Sequence, residues 1–166
     1  MTISNKLDII FNIVKINGGK TMKVTNETRG KVARLANRLT VKLDGNKSEA
    51  FHKAWRIVKA GGLEIAVKGV KFGNRQEALR RLAAYNPELI RAVIVPEPSN
   101  PQDPAALAVK VGIQGGRGLF TIGYVPKEAT ALVSAMGGQL PAFRVVCGTW
   151  GAYSKTTWGG RVALAV

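Results

Sequence analysis

The chain has 166 residues, 46% of them hydrophobic, with 25 Lys and Arg against 10 Asp and Glu for a formal charge of +15. That length suits one domain with a small appendage, and no apolar run approaches the roughly 18 residues of a membrane span. One cysteine and one histidine exclude a disulfide and argue against a zinc site, while the basic excess points to a polyanion, foremost nucleic acid.

Leu7–Ile16 reads as a strand, and Asn17-Gly18-Gly19 as a turn. Asp8 in the first apolar patch and the lack of a small-residue cleavage site argue against a secretory signal, so a reducing cytoplasm is the expected setting. Gly19-Lys20-Thr21 looks like the end of a phosphate-binding loop, but Val14 stands where that motif needs glycine, so it is rejected. Asn26 is the expected N-cap of a helix to about Leu39, with Val32, Leu35, Ala36 and Leu39 on one stripe and Arg29, Lys31, Arg34 and Arg38 off it. Ser48 is the expected cap of a second helix, with Phe51, Ala54, Trp55 and Val58 inward and Lys53, Arg56 and Lys59 outward. The pair reads either as a helical hairpin with a solvated basic face or as a loose helix-turn-helix. Its nucleic-acid candidates are Arg34, Arg38, Lys53, Arg56 and Lys59. Gly61-Gly62 is the expected boundary between a basic N-terminal region, 1–62, and a second domain, 63–166. The first holds thirteen basic and four acidic residues, the second twelve and six, so positive charge is densest in the first.

From Leu63 the period changes to two, predicting a strand that runs on through Gly69-Val70-Lys71-Phe72. Asn74 with Glu77 predicts a capped helix ended by Asn86-Pro87. Strands follow at Leu89–Val95, Ala105–Ile113 and Leu119–Val125. Pro126 opens a helix to Gly137-Gly138, and Pro141–Gly148 and Arg161–Val166 are the last strands. Cys147 reads as a buried structural thiol. The order is α+β, and so many short strands predict a small closed barrel. Between two of them lies V-P-E-P-S-N-P-Q-D-P, a stiff polar loop that holds Asn100 and Asp103 either as a turn shaped by proline or as a recognition site.

Three motifs carry a family resemblance: V-K-G-V-K-F (Val67–Phe72), S-N-P-Q-D-P-A-A-L-A-V (Ser99–Val109) and I-G-Y-V-P-K-E (Ile122–Glu128). In this order and spacing, residues from about Ile65 to Val166 resemble the HIRAN domain, a small module often attached to helicase-like DNA-remodelling proteins. The resemblance implies an OB-like β-barrel with two helices, preceded here by the basic helical hairpin. It also implies capture of the 3′ end of single-stranded DNA, with no catalysis and no cofactor. Asp103 would accept a hydrogen bond from the 3′-hydroxyl, since an ionised carboxylate accepts but cannot donate and would repel a phosphate. Asn100 would shape the loop and offer amide contacts; Phe72 would stack a base and Lys71 would contact phosphate. Tyr124 and Lys127 match phosphate-holding positions at a helix start, and Trp158, with Tyr153 as rival, a second stacking platform. For Phe72, Tyr124 and Trp158 ordinary packing is the competing reading. The sequence departs from the family at Gln102, where an aromatic partner to Phe72 is expected, and at Ser99, in place of a longer amide. The alternative function is a phage or mobile-element regulatory protein that binds a host or replication/repair protein, or sequesters a nucleotide in the same pocket. An enzyme is disfavoured because the chain offers few acids to gather around a metal.

Overall fold

Short polar side chains start both N-terminal helices, each upstream of the residue expected to do so. The computed structural model describes residues 24–137, 141–150 and 155–166, so the strand read at Leu7–Ile16 lies outside the described residues, as does Tyr153. Thr25 accepts from the Thr28 amide at 3.2 Å and opens α1 (Asn26–Lys42), which makes Asn26 the first helical residue rather than the cap. Asn46 does the same for the Glu49 amide at 3.0 Å and opens α2 (Lys47–Lys59), in place of Ser48. Adjacent Thr, Asn and Ser residues have similar capping strength, so tertiary packing chooses among them.

α1 buries Val32, Leu35, Ala36 and Leu39, the stripe read from its periodicity. α2 does not follow its expected face. It buries Ala50, Ala54, Ile57 and Val58, while Phe51 is 52% exposed and Trp55 is half-buried. The small residues Ala50 and Ala54, both fully buried, let α2 approach α1 closely, and this rotates the bulky ring of Phe51 outward.

Among the described residues, packing groups 24–64, 128–137 and 164–166 into one unit and 65–127, 141–150 and 155–163 into another. The helix α4 (Lys127–Met136), although it follows four strands in sequence, therefore groups with α1 and α2 from Glu128 onward. Its buried residues are Ala129, Leu132, Val133, Ala135 and Met136.

The second unit is built on strands. β1 (Gly62–Ala66), whose residues up to Glu64 group with the helical unit, leads to α3 (Arg75–Leu82) and a 3-10 turn (Pro87–Leu89). β2 (Ile90–Pro96), β3 (Leu107–Ile113) and β4 (Phe120–Tyr124) follow, then β5 (Ala142–Trp150) and β6 (Lys155–Ala165). The architecture is α+β, but the strands form two three-stranded antiparallel sheets, β1-β6-β5 and β2-β3-β4, not a closed barrel. One row of the second sheet, Ala92–Val111–Phe120, runs from fully buried at Val111 to partly exposed at Phe120. The core of this unit holds Ile65, Val67, Leu79, Val109, Ile122, Phe143 and Val162.

The strand expected over 63–72 ends at Ala66, because Gly69 takes φ +76° and turns the chain away. Beyond it the Val67 amide still donates to the Gly160 carbonyl at 2.9 Å, and Lys68 and Tyr124 form an isolated bridge, exchanging backbone hydrogen bonds of 2.8 and 2.9 Å. A Cβ on Gly123 would lie 2.2 Å from the Lys68 carbonyl oxygen and 2.5 Å from Val67 Cγ1, so this approach requires glycine. Elsewhere β2 lies beside β5. Cys147 is exposed rather than buried. It shares a strand face with buried Phe143, but β5 has run past the core by the time it reaches the thiol.

Candidate nucleic-acid interface

Two loops and one strand end carry the residues singled out in the second unit. In the connection from β1 to α3, Gly69 is the centre. The Arg75 guanidinium donates from Nη1 to the Gly69 carbonyl at 2.8 Å and lies over the Tyr124 ring, 5.3 Å from its centroid. A Cβ on Gly69 would sit 3.1 Å from Arg75 Nη1, 3.7 Å from Tyr124 Cδ2 and 3.9 Å from Phe72 Cδ2. The three side chains therefore converge on one point. Phe72 is nonetheless 70% exposed, and Lys71 beside it is exposed.

Gln76 holds this loop to β6. Its Nε2 donates to the Val70 carbonyl at 3.0 Å and to the Trp158 carbonyl at 2.7 Å, while its Oε1 accepts from the Trp158 amide at 2.9 Å. One side chain thus joins segments 82 residues apart. Trp158 stands within β6, opposite Cys147, rather than in a loop before the last strand, and is half-buried.

The proline loop is ordered by its own polar groups. Asn100 Oδ1 accepts from the amides of Gln102 (3.0 Å) and Asp103 (3.3 Å), and Asn100 Nδ2 donates to Glu97 Oε2 at 3.2 Å. Asp103 Oδ1 accepts from the Ala105 amide at 2.9 Å, and the Ala106 amide donates to the Asp103 carbonyl at 2.9 Å. Asn100 is therefore a loop-forming residue: its Oδ1 takes two amides, and its Nδ2 gives one of its two protons to Glu97. Asp103 is half-buried and uses one carboxylate oxygen. Among the described residues the other takes no hydrogen bond. The side chain of Gln102 is exposed.

Glu97 links the two loops. Its carboxylate accepts from the Tyr124 hydroxyl, and this bond, aided by burial, raises the tyrosine pKa above the ordinary 10.0; Arg75 opposes it. Phe72, Arg75, Tyr124, Glu97, Asn100 and the Asp103 loop thus form one connected cluster. Lys127, exposed at the start of α4, has no hydrogen bond or ion pair tying it to that cluster. Arg75, Gln76 and Glu97 were not among the sequence candidates. A signal for the first two existed, since they occupy the first turn of α3, where side chains lean back over the preceding loop.

In the helical unit, Arg34, Arg38, Arg56 and Lys59 are exposed, but Lys53 is drawn onto Glu49 in an i,i+4 pair and its side chain is 16% exposed. Lys53 is therefore an intrahelical partner, not an open phosphate contact. Among the described residues no group of three or more His, Cys, Asp and Glu side chains is placed to hold a metal ion, and no helix is long and apolar enough to cross a membrane. Compared with protein-family models, curated proteins and solved structures, the chain matches none.

Proposed function

We propose that the protein is a non-catalytic nucleic-acid-binding protein that captures single-stranded DNA at its 3′ end through the Phe72–Tyr124–Asp103 cluster. The observation that carries this reading is the pairing of an exposed aromatic with an underused carboxylate on two loops that are each hydrogen-bonded into place. Phe72 offers a stacking face beside Tyr124 and Arg75, and stacking accepts any base. The second oxygen of Asp103 is an acceptor suited to a terminal hydroxyl and hostile to a terminal phosphate. Pre-ordering of the loops lowers the entropy lost on binding. With Lys68 and Lys71 in the same segment and +15 on the chain, a polyanion is the fitting partner. Two features favour an OB-like, incompletely closed barrel of the HIRAN kind: the Lys68–Tyr124 bridge and the neighbouring positions of β2 and β5. With Gln102, whose side chain is exposed, where an aromatic partner to Phe72 is expected, the terminal base stacks on one side.

The test is a titration of one oligonucleotide carrying a free 3′-hydroxyl or a 3′-phosphate. The free end binds tighter by about tenfold, the value of roughly one hydrogen bond to a charged group, and Asp103→Asn removes that preference. Equal affinity for the two ends in the unaltered protein would sink end recognition.

A further inference from the structure

The charges of α1 are not distributed as its own ion pairs would demand. Within the helical unit, acids sit four residues before lysines: Glu27 pairs with Lys31 at 3.3 Å, and Glu49 pairs with Lys53. Further along α1 the pattern stops. Arg34, Arg38 and Lys42 recur every four residues with no acid at the three- or four-residue spacing. All three are exposed, and among the described residues none has an ion pair or a side-chain hydrogen bond. Like charges at this spacing weaken a helix. Lys42, in the last turn, complements the helix dipole, but Arg34 and Arg38 have no such compensation.

Arg34 and Arg38 also rim a cleft of about 200 Å³ with Lys31, over an apolar floor of Leu35, Met136 and Ala165. The Lys31 ammonium is held there by the Val166 backbone carbonyl at 3.4 Å as well as by Glu27. The row rises roughly 6 Å for each four-residue step of an α-helix. A row of unpaired guanidiniums beside an apolar floor matches a linear chain of phosphates joined by sugars, because arginine binds phosphate bidentately and its carbon stem covers apolar surface.

We infer that Arg34, Arg38 and Lys42 form a second binding site, on the helical unit, for the phosphodiester backbone of single-stranded nucleic acid. It shares with the proposed function only the class of partner and does not depend on Asp103 or a free 3′ end. The probe is therefore a 3′-phosphorylated oligo-dT, titrated into the full chain over a range of salt concentrations. Each backbone contact contributes about 0.7 to the slope of log affinity against log salt, so Arg34→Ala with Arg38→Ala lowers that slope by about 1.4. Lysine at both positions keeps the slope. Lys47→Ala, which removes an exposed charge outside the row, leaves it unchanged. The site is overturned if the double alanine variant keeps the full slope, if Lys47→Ala lowers it as much per charge, or if the unaltered protein does not bind the blocked oligonucleotide. Loss of the 3′-hydroxyl preference with the slope effect intact would remove the Asp103 reading and leave this one standing.

Discussion

The helical unit and the strand unit hold their polar side chains in different ways. In the first, two ion pairs close within one helical turn: Glu27 with Lys31, and Glu49 with Lys53. In the second, the contacts that shape the candidate site reach across the chain. Gln76 binds Trp158 at a separation of 82 residues, Lys68 pairs with Tyr124, and Glu97 meets both Asn100 and Tyr124. The spacing of the cationic row on α1 therefore needs only a formed helix, although its apolar floor draws on Met136 and Ala165, whereas the Phe72–Asp103 cluster needs the whole strand unit. The lesson is that two basic regions of one chain differ in how far their geometry survives local damage.

Breaking the long-range seam has the largest effect. Gly123→Ala places a methyl group 2.2 Å from the Lys68 carbonyl oxygen, which is backbone and cannot swing aside. The expected cost is about 3 kcal/mol of stability, at the upper end for overpacking, measured by urea unfolding. If the seam were incidental to the fold, the midpoint would not move.

A smaller change sharpens the comparison by separating the site from the fold. Phe72→Ala removes a ring that is 70% exposed, so unfolding stays within about 0.5 kcal/mol of the parent. Affinity for single-stranded DNA falls by about 1–3 kcal/mol if the ring stacks a base. A loss of stability with unchanged affinity would instead identify the ring as packing.

The smallest effect concerns a local pair inside the strand unit. Arg80 and then Arg81 donate to the Glu77 carboxylate and lower its pKa from the ordinary 4.5 to about 2. A depressed carboxylate pKa contributes stability above the unfolded value and loses it as pH falls through the folded one. Glu77→Gln is therefore slightly less stable than the parent at pH 6, and the difference fades between pH 4.5 and about 2. The Glu77 side chain is 44% exposed and open to solvent screening, so the gap is small. Urea midpoints of both proteins across that range check it, and a gap that persists at the acid end would show that the pair is not its source.

Where a feature depends on residues close in sequence, the chain announced it. The buried stripe of α1 followed from its 3.6-residue period, and the proline loop is stiff because Asn100 and Asp103 bond to amides two and three positions away. Charge told less than it promised, since Lys53, read as outward, folds back onto Glu49. The outward turn of Phe51 was hidden because Trp55 and Ala54 fit a helical stripe equally well until the approach of α1 selects the small residues.

By itself, then, the sequence determined the α+β class, the positive charge and the stiff proline loop. These rest on composition and on contacts within a turn or two of chain. Tertiary structure alone decided that the strands form two sheets, that α4 groups with the N-terminal helices, and that Arg75, Gln76 and Glu97 bring Phe72, Tyr124 and Asp103 into one cluster. Those outcomes depend on which distant backbone groups pair and where a missing Cβ permits close approach, as at Gly123. No local preference encodes such choices, because each is made by the partner segment as much as by the residue itself.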